Sequence, residues 1–364
     1  MPSSQPSFAS LLSRRNVLRT ATAAGSLGLL GGSALAAPVA RPKLPADLTS
    51  PYICRAEFAA APAPSGPPKQ LKISWNATAV CLSPVAVAVQ NGIFAKYNLD
   101  VELINYAGAT DQLLEAIATG KADAGVGMAL RWLKPLEQGF DVKLTAGTHG
   151  GCMRLLAARD GGVTDLASLK GKTIATGDMA SPAKNFFAIM LAKRGIDPER
   201  DVEWRQYPVD LLDLAIDKGE AQALVEGDPR TYLWLKDDRF VEVASNLSDE
   251  YANRLCCVLG IRGSLIRDDR PTAAALTRAV LEAAEWTSRN PAAAAAVFAP
   301  YAPKAAPDDL TAMVSHHTHH HHPVGLPFKD EIALYAEELK LVSVFKRGTD
   351  PRMFADKICA DVLT

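Results

Sequence analysis

Leu71-Lys72-Ile73-Ser74-Trp75 alternates apolar and polar positions with a period of two, the pattern of a strand that lays one face on a core. After a loop, Ser83-Pro84 offers a hydroxyl cap and a preset first turn to an apolar helix from Val85 to Gln90, and Asn91-Gly92 ends it. Leu99 to Ile104 is the next strand. The order then repeats: Gly108-Ala109-Thr110-Asp111 opens a helix running to Thr119-Gly120, Ala122 to Gly127 is a strand, Leu130 to Gln138 a helix and Val142 to Ala146 a strand.

Cys152 to Arg159 forms another apolar strand, and from Asp165 a second series echoes the first. Lys172 to Ala175 is a strand, Ser181-Pro182 opens the helix Ala183 to Arg194, Val202 to Gln206 is a strand, Leu211 to Lys218 a helix, and Ala223 to Val225 a strand leading into Asp228-Pro229. After a strand at Cys257 to Ile261 the pattern turns helical, over Thr272 to Arg289, Pro291 to Phe298, Pro307 to His317, Phe328 to Leu341 and Pro351 to Leu363. Strands alternating with helices imply mostly parallel sheets covered on both faces. The expected architecture is therefore α/β with two lobes. Residues 70–157 and 256–364 form a discontinuous lobe 1, residues 158–255 form lobe 2, and a ligand cleft lies between them.

With 364 residues, 48% hydrophobic and 22% charged, the chain has ordinary globular composition and length enough for two or three compact lobes. Its 39 basic and 40 acidic residues give no basic surplus, which sets nucleic acid aside as a partner. Ser13-Arg14-Arg15-Asn16-Val17-Leu18-Arg19 is a twin-arginine pattern. A short apolar stretch from Thr20 to Leu35 and small residues at Ala34-Leu35-Ala36 follow it, so residues 1–37 read as a signal peptide addressing the chain to the periplasm. Such signals resemble those of proteins exported already folded. Residues 38–69, rich in proline and alanine, read as a linker.

Cys54, Cys81, Cys152, Cys256, Cys257 and Cys359 would meet an oxidising compartment, where they either pair or stay buried as thiols, and sequence gives no connectivity. There is no CxxC, GxSxG, HExxH or phosphate-loop pattern and no nucleophile paired with a base, so the chain does not read as an enzyme.

In open parallel sheets ligands bind beyond the carboxyl ends of the strands, at helix N-termini that present unpaired N–H groups. The loops 76–83, 107–111, 127–132, 147–152, 176–181 and 226–228 take that position. Their candidate ligand-binding residues are Trp75, Asn76, Thr78, Ser83, Thr110, Trp132, His149, Ser181, Glu226 and Asp228. Ser83 and Ser181 are opposed helix starts suited to an anionic or strongly polar ligand, or ordinary caps. Trp75 and Trp132 offer aromatic faces, or are core residues. His149 is a donor or a cap, and Asp228 and Glu226 face an amine or a cation, or Asp228 only caps a helix.

Six of the seven histidines lie in Ser315-His316-His317-Thr318-His319-His320-His321-His322-Pro323. The run reads as a solvated loop that takes up protons below the ordinary value of ~6.5, or as a loose site for Zn, Ni or Cu at His316, His317, His319, His320, His321 and His322. No cofactor is otherwise required.

Several segments carry a resemblance: Val87 to Phe94 with Tyr97 to Val101, Ala116 to Gly127, Leu169 to Ala175, and Asp350-Pro351 to Ala355-Asp356. Across about residues 70–364 the chain resembles the substrate-binding proteins of bacterial ABC importers. The group is the one for nitrate, sulfonate, taurine and bicarbonate, which includes relatives of thiamine-pyrimidine synthases. The resemblance implies a periplasmic protein of the type II binding-protein fold. It would close on a small solute and deliver it to a permease and ATPase complex, touching the membrane only through the permease. It also implies ligand contacts at 176–181, and nitrate- and bicarbonate-binding members place an acid before proline as Asp228-Pro229 does. The histidine run departs from that family. A small anion such as nitrate or a sulfonate, a metal or metal chelate, and a thiamine-precursor-like heterocycle stacked on Trp75 and Trp132 all stay open as solutes. A pyrimidine-synthase-like enzyme is the reading from another class, and the export signal argues against it.

Overall fold

The computed structural model describes residues 65–364 apart from 107–109, 248 and 318. The signal peptide, most of the linker, Cys54 and the loop before Thr110 lie outside the described residues, as does the Thr110 side chain.

Ten strands are described: β1 (Lys69–Trp75), β2 (Leu99–Asn105), β3 (Ala124–Met128), β4 (Val142–His149), β5 (Met153–Ala158), β6 (Thr173–Thr176), β7 (Glu203–Gln206), β8 (Ala223–Gly227), β9 (Phe240–Ser245) and β10 (Cys257–Arg262). They form two five-stranded sheets, ordered β2-β1-β3-β10-β4 and β7-β6-β8-β5-β9. β1 runs parallel to β2 and β3, and β6 parallel to β7 and β8. In each sheet one strand is antiparallel to its neighbours, β10 in the first and β5 in the second, and each is the strand that receives the chain as it changes sheets. The fold is thus the two-lobed α/β architecture expected.

The chain leaves the first sheet after His149 and enters the second at Met153, then leaves it after Ser245 and returns at Cys257. The whole of β5 therefore belongs to the second sheet, several residues earlier than the expected change at 157. Three strands or helices had no clear signal in the pattern, one of them the short helix Ile93–Lys96. β9 is a half-buried strand at the edge of the sheet, and the short helix Gly263–Asp268 follows β10 directly.

The C-terminal helices return to the first sheet. Helix Arg270–Arg289 packs on helix Ser83–Gln90 and on β4, and the tail bridges Leu144 to Cys359 at the outer edge of β4. Close packing there depends on two glycines. A Cβ at Gly127 in β3 would lie 2.3 Å from the Trp132 ring and one at Gly260 in β10 would lie 2.9 Å from it, so the indole is seated directly on the sheet. Because the ring lies against both strands, Gly127→Ala should lower unfolding stability by about 1–3 kcal/mol in denaturant titration. Gly139→Ala, where a Cβ meets nothing but φ is +105°, tests the separate effect of backbone strain.

Candidate functional site

The two crossings between the sheets lie against each other. Cys256 N donates to the His149 carbonyl at 2.8 Å and Asp228 N donates to the Cys152 carbonyl at 2.9 Å. The Met153 amide donates to Asn246 Oδ1 at 2.7 Å, and a Cβ at Gly151 would sit 2.1 Å from the Asn246 carbonyl oxygen. Only glycine permits that approach, which makes the floor of the seam between the lobes a pair of tightly apposed chain segments.

Above this floor the lobes meet through polar contacts. Arg131 pairs with Asp178 at 2.7 Å, Asn185 Nδ2 donates to the Leu130 carbonyl at 3.2 Å, and Lys236 pairs with Asp309 at 2.7 Å. The most buried contact centres on Asp228. Its Oδ1 accepts from Arg154, from the Thr231 hydroxyl at 2.6 Å and from the Tyr232 amide at 3.0 Å, while Oδ2 lies 2.9 Å from His317 Nε2. Burial opposes its charge, but His317 and Arg154 outweigh burial and bring the carboxyl down to about 2. Arg154 also meets Glu242 at 2.9 Å. Asp228 does stand at the start of helix Arg230–Leu235, yet it is chiefly one member of a buried ionic group joining the second sheet to the histidine run.

The run is no solvated loop. His317, His319 and His321 are buried while His316 and His320 are exposed. The turn is fixed by Pro323, whose carbonyl accepts from Gly147 N at 2.9 Å and whose ring fills the space a Cβ on Gly147 would need. His321 Nε2 lies 2.8 Å from Glu331 Oε1. The rings of His149, His317 and His319 stand 5.2 to 5.8 Å apart, centroid to centroid. Among the described residues neither ring nitrogen of His149 or of His319 meets a hydrogen-bond partner, although both side chains are sealed from solvent.

Next to His149 lie the thiols that sequence reasoning left undirected. Cys81 Sγ is 3.9 Å from Cys257 Sγ, and these two sulfurs and a His149 ring nitrogen all lie within 4.8 Å of one another. Cys152 adjoins Cys81 and Cys256. Thiol hydrogen bonds from Cys152 and Cys257 draw Cys81 and Cys256 well below the usual thiol range, while Cys152 and Cys257 are held well above it. Burial opposes protonation of His149, but Cys81 beside it lifts the imidazole above its ordinary value. Burial drives His319 well below its own and His322 down to about 3.

The other candidates divide. Trp75 is buried edge-on against Tyr301 at 5.0 Å, and Trp132 is the core residue already described, so both pack as core side chains. Asn76 Oδ1 accepts from the Thr78 amide and hydroxyl at 2.9 and 2.7 Å. Thr78 lines a groove of about 480 Å³ across the rim of the seam, with Arg230, Trp234, Tyr301 and Lys304. Ser181 caps its helix, accepting from Lys184 N at 3.1 Å. Ser83 caps nothing: the helix begins at Ser83 itself after a tight turn at Val80–Leu82, and its hydroxyl is buried without a partner. Glu226 accepts from Gly227 N at 3.0 Å, and burial raises its carboxyl.

The profile of the NMT1-like family matches residues 65–300. The chain belongs to the NMT1-like family. No curated protein matches it in sequence. Among solved structures it is similar to the alkanesulfonate-binding protein SsuA from Xanthomonas axonopodis pv. citri bound to MOPS, at 18% identity and a TM-score of 0.66, covering 80% of this chain and 99% of that one. The periplasmic nitrate-binding protein NrtA from Synechocystis PCC 6803 gives 15% identity and a TM-score of 0.68, covering 81% and 87%. A ligand-binding component of an ABC-type import system from Staphylococcus aureus with zinc bound gives 13% and 0.66, covering 81% and 97%. At these identities the likeness establishes the fold.

Asp228 sets a pH dependence. Its carboxyl is lower in the folded chain than its ordinary 3.8, so the stability it contributes is full above that value and is lost as pH falls toward about 2. Asp228→Asn should lower stability at neutral pH by about 3–5 kcal/mol, since it strands Arg154 and His317 in the interior. In denaturant titrations the gap between variant and parent should narrow only below the ordinary value.

Proposed function

We propose that this protein is the extracytoplasmic solute-binding component of an ABC-type import system. Its lobes close on a small solute at the seam and present it to a membrane permease and its ATPase. The observation that carries the reading is the hinge: among the described residues the sheets are joined by two apposed crossings, over a floor that holds partnerless polar atoms of His149, Thr148, Ser83 and His319. A buried polar atom without a partner calls for one, and a bound solute is one way to supply it. Membership of the NMT1-like family and the likeness to sulfonate-, nitrate- and zinc-bound importer components support a transport role over an enzymatic one. Among the described residues no helix is long and apolar enough to cross a membrane, which fits a protein that meets the membrane through its permease.

The floor is poorly suited to a free oxyanion, because the guanidinium of Arg154 is already matched by Asp228 and Glu242. At the rim Arg230 and Lys304 line the groove with Thr78, but Asp210 and Asp213 line it too and Arg230 pairs with Asp210 at 3.3 Å, so the rim is of mixed charge.

A solute at 100 times its dissociation constant adds about 2.7 kcal/mol to stability, so a thermal-shift screen over nitrate, taurine, alkanesulfonates, bicarbonate, aminopyrimidines and divalent metals should single out one class. The same solute should contract the molecule in small-angle scattering, and Asp178→Ala with Lys236→Ala should weaken that contraction. A protein that no solute stabilises or contracts has another role. Replacing Arg14 and Arg15 by lysine should leave the chain in the cytoplasmic fraction, which tests the export route.

A further inference from the structure

Four thiols and two imidazoles from four separate segments of chain meet at the floor of the seam. Cys81 comes from the turn before the first apolar helix, His149 from the end of β4 with Cys152 just beyond it, Cys257 from the start of β10 with Cys256 just before it, and His319 from the histidine run. We propose that this cluster binds one thiophilic d10 cation, Zn²⁺ or Cu⁺, through Cys81, Cys257 and His149, with a further thiolate from Cys152 or Cys256. The inference rests on the reading of the seam as the place where the lobes close, and it names the solute class.

The geometry fits. Two sulfurs bound at about 2.3 Å to one tetrahedral ion stand about 3.8 Å apart, and Cys81 and Cys257 stand 3.9 Å apart. The imidazole lies on the same side, with all three donor atoms within 4.8 Å of one another. Among the described residues the ring nitrogens of His149 have no hydrogen-bond partner, and a sealed imidazole with both nitrogens unmatched is costly unless something binds it. Thiolate and imidazole donors select Zn²⁺ and Cu⁺ over Mg²⁺ and Ca²⁺, which prefer oxygen.

The three principal donors belong to the first lobe: His149 ends β4, Cys257 begins β10 opposite it, and Cys81 lies in the turn before the first helix, so the link to the hinge runs through the fourth donor, Cys152 or Cys256, on the crossings. His316 and His320 stand exposed on the segment that brings His319 inward.

The test uses the full chain, purified with a thiol reductant, and titrates Zn²⁺ alone and, without oxygen, Cu⁺ alone. One equivalent should bind, and X-ray absorption should give a sulfur-rich shell at about 2.3 Å with nitrogen at about 2.0–2.1 Å. The metal with the higher affinity identifies the cation. Cys81→Ser, Cys257→Ser and His149→Ala should each weaken binding by about 100-fold or more, whereas replacing His316, His320 and His322 together by alanine should change it less than about threefold. Co²⁺ in place of Zn²⁺ should give a thiolate charge-transfer band that both serine variants reduce, a readout that needs only a folded site.

Binding that survives in the cysteine variants and is lost in the histidine block, a shell of nitrogen and oxygen alone, or a Cys81–Cys257 disulfide with no metal uptake each overturn the inference. If neither metal binds while a sulfonate or nitrate stabilises and contracts the chain, the cation falls and the importer reading stands. If the metal binds at the cysteines without contracting the molecule, the site stands and closure on a solute falls.

Discussion

A carboxylate sealed from water has to be matched where it lies, and that requirement at Asp228 organises the seam. Its two oxygens hold Arg154 from β5, Thr231 and Tyr232 from the helix that follows, and His317 from a segment 89 residues away. Removing any one partner leaves a buried charge or a buried dipole unmatched, so the second sheet, the turn at Asp228-Pro229 and the histidine run are held together as one unit. The lobes also meet through Arg131 with Asp178 and Lys236 with Asp309, pairs that reach solvent and contribute less.

Holding His317 in place determines what the rest of the run can do. His317 is held against Asp228 and Pro323 against Gly147, and between them His319 and His321 lie inside while His320 lies outside. His319 is thereby carried to His149, where burial keeps it neutral with its ring nitrogens unshared. A charged imidazole could not be held there beside His149, whose own protonation is favoured by Cys81.

Much of the fold was legible because period-two and helical patterns are local. The strands β1, β2, β3, β6 and β10, the helix starting at Pro182 and its Ser181 cap all follow from neighbours within a few residues. The same Ser-Pro pair failed at Ser83, because a tight turn at Val80–Leu82 runs straight into the helix and leaves no extended residue to act as cap. β9 was missed because an edge strand needs only one buried face and its alternation is weak. The site was least legible. Cys81, Cys152 and Cys257 are separated by scores of residues, and only the pairing of the crossings brings them together. The histidines read as solvent-facing because nothing local reveals that Asp228 and Gly147 wait for them.

Protonation shows why the floor is not an ordinary core. A buried thiol normally behaves as a small apolar group. Here Cys81 and Cys256 are drawn toward thiolate by the thiols of Cys152 and Cys257, and the nearby His149 is drawn toward imidazolium by Cys81. Soft donors packed this closely out of water have few partners but one another. A cation set among the two sulfurs and the imidazole nitrogen would meet all three at once, which no single proton can do, and it would join the end of β4 to the start of β10 and to the turn before the first helix.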